Sequence, residues 1–408
     1  MSVLGIISEY NPYHRGHAHL LDEAREKTGA AQSVSIMSGC FSQQGQPMIC
    51  DKYLRASAAA ASGIDLVFEL PVLFATGSAR DFAEGAVALL SALPFMEHLC
   101  FGVETPDISL FREIADCCVE EPELYRTVLQ EEQKKGQSFP SAREEALAAV
   151  LGERVREAVR KPNNILALEY MTAIKRLHSP LKPCLIRRTA DYHSGSADSA
   201  TTIRNHLAGL VTGDAGSWID PYLKDVLPSP SYERYRSASG GFLLSPEGLM
   251  PYLAARLMDL PEDLSGGELP LDMTAEIYHR LRKLTLPMDY TDMIDRLKRK
   301  NETRGRITRC LLHLILGICE KDRITLNKTA TESLYLNLLS AAETGTSLLR
   351  DTGSLSVITK KSAFRPEDPV TTRLWELDCR AAFLYNQLYY DAFRVQLPAE
   401  MRRTPVIL

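Results

Sequence analysis

Up to Val103 the chain alternates short apolar runs with longer stretches in which apolar residues recur at helical spacing. Val3–Ser8 (VLGIIS), Ser33–Met37 (SVSIM), Asp65–Leu70 (DLVFEL) and His98–Val103 (HLCFGV) read as buried strands, the third stopped by Pro71. Between them His17–Lys27, Lys52–Ala61 and Ala79–Ala92 read as helices, the first with Leu20, Leu21 and Ala24 as its apolar positions. Strands separated by helices of this length predict right-handed βαβ units and a parallel sheet. The strands are apolar almost throughout, which predicts cover on both faces of that sheet. A mainly helical stretch over residues 108–180 precedes a fifth strand, Leu181–Arg188 (LKPCLIRR).

Beyond Ser199–Leu207, read as a helix start, the pattern changes. From about residue 219 Gly, Pro and Ser become more frequent, and long amphipathic helices follow, among them Asp292–Ile318 and Val370–Tyr390. A chain of 408 residues exceeds one ordinary core. The expected architecture is α/β, with a Rossmann-like parallel-sheet domain over residues 1–215 and a mainly α-helical domain over residues 216–408. No apolar run reaches the ~18–20 residues of a membrane span, and no basic n-region with a cleavage site opens the chain. A cytoplasmic protein without a membrane partner is expected. The nine cysteines are scattered, with Cys117 and Cys118 adjacent and no Cys-x-x-Cys pair, so free thiols in a reducing compartment are expected. A net charge of −5 means that any nucleic-acid partner must be met by a local basic patch.

The chemistry concentrates after the first strand, because ligands of open parallel sheets bind beyond the carboxyl ends of the strands. There the run Tyr10-Asn11-Pro12-Tyr13-His14-Arg15-Gly16-His17 begins. Asn11-Pro12 is a turn signal, Gly16 permits close backbone approach, and the following helix offers unpaired N–H groups to an anion. His14 and His17, three positions apart, are placed to donate to phosphate and to stabilise charge on a pentacoordinate α-phosphorus. Neither is expected to be a covalent nucleophile. A metal pair would lack a third ligand at suitable spacing.

His14-Arg15-Gly16-His17 resembles the His-x-Gly-His signature of the nucleotidyltransferase superfamily, which includes class I aminoacyl-tRNA synthetases. Ser199-Ala200-Thr201-Thr202-Ile203-Arg204 is similar to its second signature, a Ser/Thr-rich turn ending in Ile-Arg. That implies Arg204 as a bidentate donor to the β- and γ-phosphates, with Ser199 or Thr201 also fit to cap a helix. More of the chain resembles the bacterial tRNA(Met) cytidine acetate ligases. The matches are Glu9-Tyr10-Asn11-Pro12-Tyr13-His14, Met37-Ser38-Gly39, Gly45-Gln46-Pro47, Asp51-Lys52, Gly63–Val67, Glu69-Leu70-Pro71, Phe101-Gly102, Pro162–Leu166 with Glu169-Tyr170, and Arg188 with Tyr192-His193. They are dense over the first 210 residues and looser beyond, chiefly around Arg304–Leu316.

The resemblance implies an enzyme that converts ATP and acetate to acetyl-adenylate and pyrophosphate. It then acetylates N4 of the wobble cytidine of elongator tRNA(Met), without acetyl-CoA. It implies an ATP site at Ile7, Ser8, Glu9, Tyr10, Asn11, Pro12, Tyr13, His14, Arg15, Gly16, His17, Ala18, His19 and Leu20. Gly102 would give the adenosine close access to backbone, Asn163 or Asn164 would bond the nucleotide, and Arg188 would pair with phosphate. Lys52 would neutralise pyrophosphate or orient acetate, and Mg²⁺ would accompany ATP. The chain departs from the family pattern at Cys40–Gly45, where Gln44 stands in the place of an expected arginine. Ser8 and the helix Trp375–Tyr390 also depart.

In the second half Lys298, Arg299, Lys300, Arg304, Arg306 and Arg309 fall within twelve positions, opposed only by Glu302. Such a run can grip an RNA backbone. Tyr389, Tyr390 and Phe393 form an aromatic helix face whose expected role is core packing. Two other readings are a small-molecule adenylyltransferase, which would have little use for the basic helical half, and a non-catalytic relative that binds ATP and tRNA.

Overall fold

The computed structural model describes residues 2–188, 199–210, 221–238, 241–264 and 266–408. The expected strands appear as β1 (Val3–Ser8), β2 (Gln32–Ser38), β3 (Leu66–Leu70), β4 (Met96–Val103) and β5 (Lys182–Arg187). All four pairings among them are parallel, in the order β5-β4-β1-β2-β3. The chain steps from β1 to β2 and β3 on one side and to β4 and β5 on the other. The crevice between the carboxyl ends of β1 and β4 is therefore the topological switch point.

Alternation along β1 sorts the two faces. Leu4 and Ile6 join a core with Leu21 of the helix Arg15–Thr28 and with Ala56 and Ala59 of the helix Lys52–Ala61. Val3 and Ile7 join a larger core on the opposite face, against Ala83, Val87 and Leu90 of the helix Ala79–Ser91. Gly5 lets that helix approach, since a Cβ there would lie 2.9 Å from Leu90 Cδ1. The larger core continues without interruption into Leu311, Leu312, Leu384 and Tyr385.

The second half departs from expectation in two ways. It is not only helical: β6 (Tyr335–Ala341) pairs antiparallel with β3, and β7 (Ser356–Ile358) and β8 (Val406–Ile407) pair with β6. All seven residues of β6 are buried. Its sequence, YLNLLSA, lacks both the β-branched content and the polar alternation that announce a strand. In addition, the expected helix Asp292–Ile318 is two helices, Tyr290–Leu297 and Arg304–Leu316. The Thr303 side chain caps the second by accepting from Arg306 N–H. The Glu302 carboxylate accepts from Arg299 N–H at 2.9 Å and pairs with Arg280. A continuous helix would stack the cations of this stretch, and the local capping bonds favour the break. The last long helix, Pro369–Phe393, forms as expected, and Tyr389 packs in the core with its hydroxyl on the Gly241 carbonyl.

A buried ionic cluster fastens the chain end to the sheet. Lys52 Nζ lies 2.7 Å from Glu69 Oε2 and 3.0 Å from Glu400 Oε1. Tyr53 donates to Glu400, and Asn337 of β6 donates to Glu69. Removing the cation would leave two buried carboxylates facing one another. Lys52→Met should therefore lower the unfolding free energy by about 3–5 kcal/mol. Urea titration measures this, and a loss below about 1 kcal/mol would contradict the cluster's burial and pairing.

Candidate nucleotide-binding site

The run after β1 is held from several directions. The Asn11 side chain accepts from Ile49 N–H at 2.8 Å, and Tyr13 N–H donates to the Tyr235 hydroxyl at 3.1 Å. Tyr10 and Tyr13 are fully buried, with ring centroids 5.0 and 5.4 Å from that of His17. They brace the loop; Arg15 and Gly16 are exposed. His17, Ala18, His19 and Leu20 form the exposed-edge first turns of the helix Arg15–Thr28 and are only partly buried. Ile7 and Ser8 close β1, where Ser8 Oγ meets Ser35 Oγ at 3.3 Å.

His14 and His17 cap this helix reciprocally. His14 Nδ1 accepts from Gly16 N–H at 3.0 Å, and His17 Nδ1 accepts from His14 N–H at 3.2 Å. With Nδ1 used as an acceptor, the proton of each neutral ring sits on Nε2. Burial, reinforced by Arg188 and Arg204, pushes the His14 imidazole down to about 3. His17 is also pushed well below the ordinary histidine range, by burial first and then by His14 and Arg188. At neutral pH the pair therefore presents two uncharged Nε2–H donors, with ring centroids 3.9 Å apart.

Two arginines supply the charge. Arg204 donates to the Asn11 carbonyl at 2.8 Å and to Thr201 Oγ1 at 3.1 Å. Ser199 Oγ accepts from Thr202 N–H and caps the helix Ala200–Leu210. The fold thus brings the Ser199–Arg204 segment against the first motif across 193 residues of sequence separation. Arg188 follows β5 and its N–H donates to the Val103 carbonyl at 2.8 Å. A Cβ on Gly102 would come within 3.1 Å of Arg188 Cγ, so glycine there leaves room for that arginine. Desolvation disfavours the charge on both arginines, Glu104 opposing it at Arg188 and Glu9 at Arg204.

Other expected residues have different surroundings. Asn164 is fully buried and accepts from Glu104 N–H while its amide donates to Thr105 Oγ1, so it shapes the end of β4. Asn163 is only partly buried and donates to the Glu104 carboxylate at 2.6 Å. Lys52, expected at pyrophosphate or acetate, is instead buried between Glu69 and Glu400, and its charge is committed there. Gln44 lies beside Gly305 of the second half. Of the basic run, Arg309 pairs with the Asp272 carboxylate at 2.6 Å, Arg306 donates to the Asp272 carbonyl, and Arg304 pairs with exposed Asp295. Lys298, Arg299 and Lys300 occupy the turn between the two helices. Tyr192 and His193 lie outside the described residues.

Sequence reasoning missed Arg55, Glu104 and Tyr235. A signal for Arg55 existed: it is a lone cation in the otherwise small and apolar stretch Leu54–Ala61. The other two have no local signature.

Imidazole N–H donors and arginines are gathered at the switch point of a parallel sheet, and residues 1–398 match the family model HIGH Nucleotidyl Transferase. The chain is 33% identical to the tRNA(Met) cytidine acetate ligase of Thermoanaerobacter sp. (strain X514), over 96% of each chain. It is 34% identical to that of Halalkalibacterium halodurans, covering 100% of this chain and 97% of the relative. It superposes on the crystal structure of Thermotoga maritima TmcAL bound with alpha-thio ATP with a TM-score of 0.86, at 28% identity and full coverage of both chains. The apo form of that protein gives a TM-score of 0.85 at 27% identity. The chain belongs to the tRNA(Met) cytidine acetate ligase family.

The depressed His14 has a consequence for acid stability. As pH falls from about 6.5 toward about 3, the unfolded chain binds a proton that the folded chain refuses. The associated stability is present in full above the unfolded value and declines on acidification through that window. His14→Asn, whose Oδ1 can accept the same backbone N–H, should lose less stability between about pH 6 and pH 4 in urea titrations. Equal slopes for the two proteins would mean that the folded imidazole takes up its proton in this window as readily as the unfolded one, so that burial does not hold it neutral.

Proposed function

We propose that this chain is an ATP-dependent ligase that forms acetyl-adenylate from acetate and ATP and acetylates N4 of the wobble cytidine of elongator tRNA(Met). The observation that carries the reading is the pair of neutral Nε2–H donors beside Arg188 and Arg204 at the switch point. Neutral donors of this kind strengthen as negative charge grows on the phosphorus oxygens, so they favour the transition state over the ground state. An acetate oxygen attacks the α-phosphorus, the bond to the β-phosphate bridging oxygen breaks, and pyrophosphate leaves. The cytidine amine then attacks the acetyl carbonyl, loses a proton, and AMP departs. Arg204 would hold the β- and γ-phosphates and Arg188 the α-phosphate side, with Gly102 and Asn163 nearest the nucleoside. The nearby carboxylates, Glu9 and Glu104, already accept from Gln43 N–H and Asn163. Mg²⁺ would therefore be carried in on the phosphates of ATP, where it screens their charge.

Residues 1–215 would carry the adenylation chemistry and the remainder would hold the tRNA in the cytoplasm. Within the basic run the half-buried Lys298 and the exposed Arg299 and Lys300, with Arg304, are the phosphate contacts; Arg306 and Arg309 brace the segment through Asp272.

His17→Ala should abolish acetate-dependent exchange of pyrophosphate into ATP while tRNA affinity stays within about twofold. Undiminished exchange would remove His17 from the chemistry, and exchange that does not need acetate would point to another acceptor. Replacing Lys298, Arg299 and Lys300 together by Ala should weaken tRNA binding and reduce the slope of log affinity against log salt by roughly 2–3. An unchanged slope would make that turn a solvated surface.

A further inference from the structure

Cys100 on β4 and Cys184 on β5 are register partners on adjacent parallel strands, so their side chains project side by side from one face of the sheet. Both side chains pack in the same core cluster. Neighbouring strands lie about 4.8 Å apart, inside the Cα separation of about 4.4–6.8 Å that a disulfide accepts. Cys100 is fully buried in the core beneath the helix Arg15–Thr28. Cys184 is only partly buried, and β5 is an edge strand of the sheet. One thiol of the pair is thus open to a small reagent, and the other is held against it, shielded from everything else.

The electrostatics fit a reactive pair. The neighbouring Cys100 thiol pulls the Cys184 thiol down to about 7 against its burial, with the Lys27 ammonium assisting. The Cys184 neighbour and burial push Cys100 up. Cys184 is therefore the nucleophile and Cys100 the resolving thiol.

We propose that Cys100 and Cys184 are a redox-modification site that closes into a reversible cross-strand disulfide on reaction with hydrogen peroxide. The Cys184 thiolate attacks one peroxide oxygen, the O–O bond breaks, and the released hydroxide takes up a proton, leaving a sulfenic acid. Cys100 sulfur then attacks the sulfenyl sulfur as it loses its proton. The S–O bond breaks and a second water departs. Two thiols lose two electrons in all, and one peroxide becomes two waters. Gly102 lies two residues beyond Cys100 on β4, and Arg188 follows the end of β5. Turning the two side chains into bridge geometry shifts the strand segments that lead into the close contact between Gly102 and Arg188, so the bridge weakens ATP binding; that consequence rests on the ATP reading above.

The test uses the full-length native chain, treated with hydrogen peroxide, quenched with an alkylating reagent and mapped by peptide mass spectrometry. The expected product is a peptide pair linking Cys100 to Cys184, two hydrogens lighter than the reduced pair and restored by dithiothreitol. It should be absent from Cys100→Ser and from Cys184→Ser, with Cys184 accumulating as sulfenic acid in the first. Failure of the link to form in protein that circular dichroism shows to be folded would overturn the proposal, as would a link that forms only after unfolding. ATP affinity, measured by calorimetry on both forms, should fall several-fold on oxidation and recover on reduction. An unchanged affinity with the bridge present would overturn its coupling to the site. No ATP binding in either form would count against the ligase reading and leave the peptide result to decide the bridge.

Discussion

At the carboxyl ends of β1 and β2 the carbonyl groups turn out of the sheet ladder into a fully buried region, and Arg55 satisfies them. Its guanidinium donates to the carbonyls of Glu9 at 2.6 Å, Ser38 at 3.2 Å and Gly39, and through Nε to that of Cys50 at 3.2 Å. The side chain is wholly buried, and no carboxylate is among its hydrogen-bond partners in the described residues. Buried carbonyls without donors and a buried cation without partners would each be costly, and here each relieves the other. The loop that bears His14 and His17 is rooted in that arrangement. Once Glu9 is fixed, its carboxylate reaches Gln43 N–H, Asn11 reaches Ile49, and Tyr13 reaches Tyr235. A site whose donors must face a developing charge without reorganising needs this kind of over-determined backbone.

A second layer lies beneath the first and comes largely from distant sequence. Gly39 abuts Glu69 so closely that a Cβ would lie 1.9 Å from its Oε1. Glu69 in turn holds Lys52 and receives Asn337 from β6, and Lys52 holds Glu400 near the chain end. The turn at Gln43–Gly45 rests on the helix Arg304–Leu316, where a Cβ on Gly45 would meet Arg309 backbone at 3.0 Å. The second half of the chain therefore does more than extend the surface. It completes the sheet and supports the loops beside the nucleotide site from below and from the side.

The elements most legible in the sequence were those with short-range causes. β1, the helix Lys52–Ala61 and the strands that follow announced themselves by unbroken apolar runs and by helical spacing. The loop after β1 was legible because turn residues, a glycine and two histidines followed a strand at once. The meeting of Ser199–Arg204 with Asn11 was legible only through the resemblance, since nothing local in either segment points to the other. Lys52 was misread because a lysine at a helix start ordinarily sits in water, and its carboxylate partners lie 17 and 348 residues away. The break at Lys298–Thr303 falls in a stretch with no apolar side chain between Leu297 and Ile307, and the capping bonds of Glu302 and Thr303 that fix it depend on polar side chains.

By itself the sequence determined the parallel α/β core and the loop after β1 that carries the two histidine donors, because backbone sterics, apolar periodicity and turn chemistry act over a few residues. The tertiary structure alone decided the protonation and tautomer of those donors. Burial and the approach of Arg188 and Arg204 keep His14 neutral, and backbone N–H groups at Nδ1 leave the proton on Nε2. It also decided which cations are free and which are spent on carboxylates. Charge and desolvation are set by everything nearby in space, and in this fold the neighbours of Lys52, Gln44 and Asn11 come from segments hundreds of residues away.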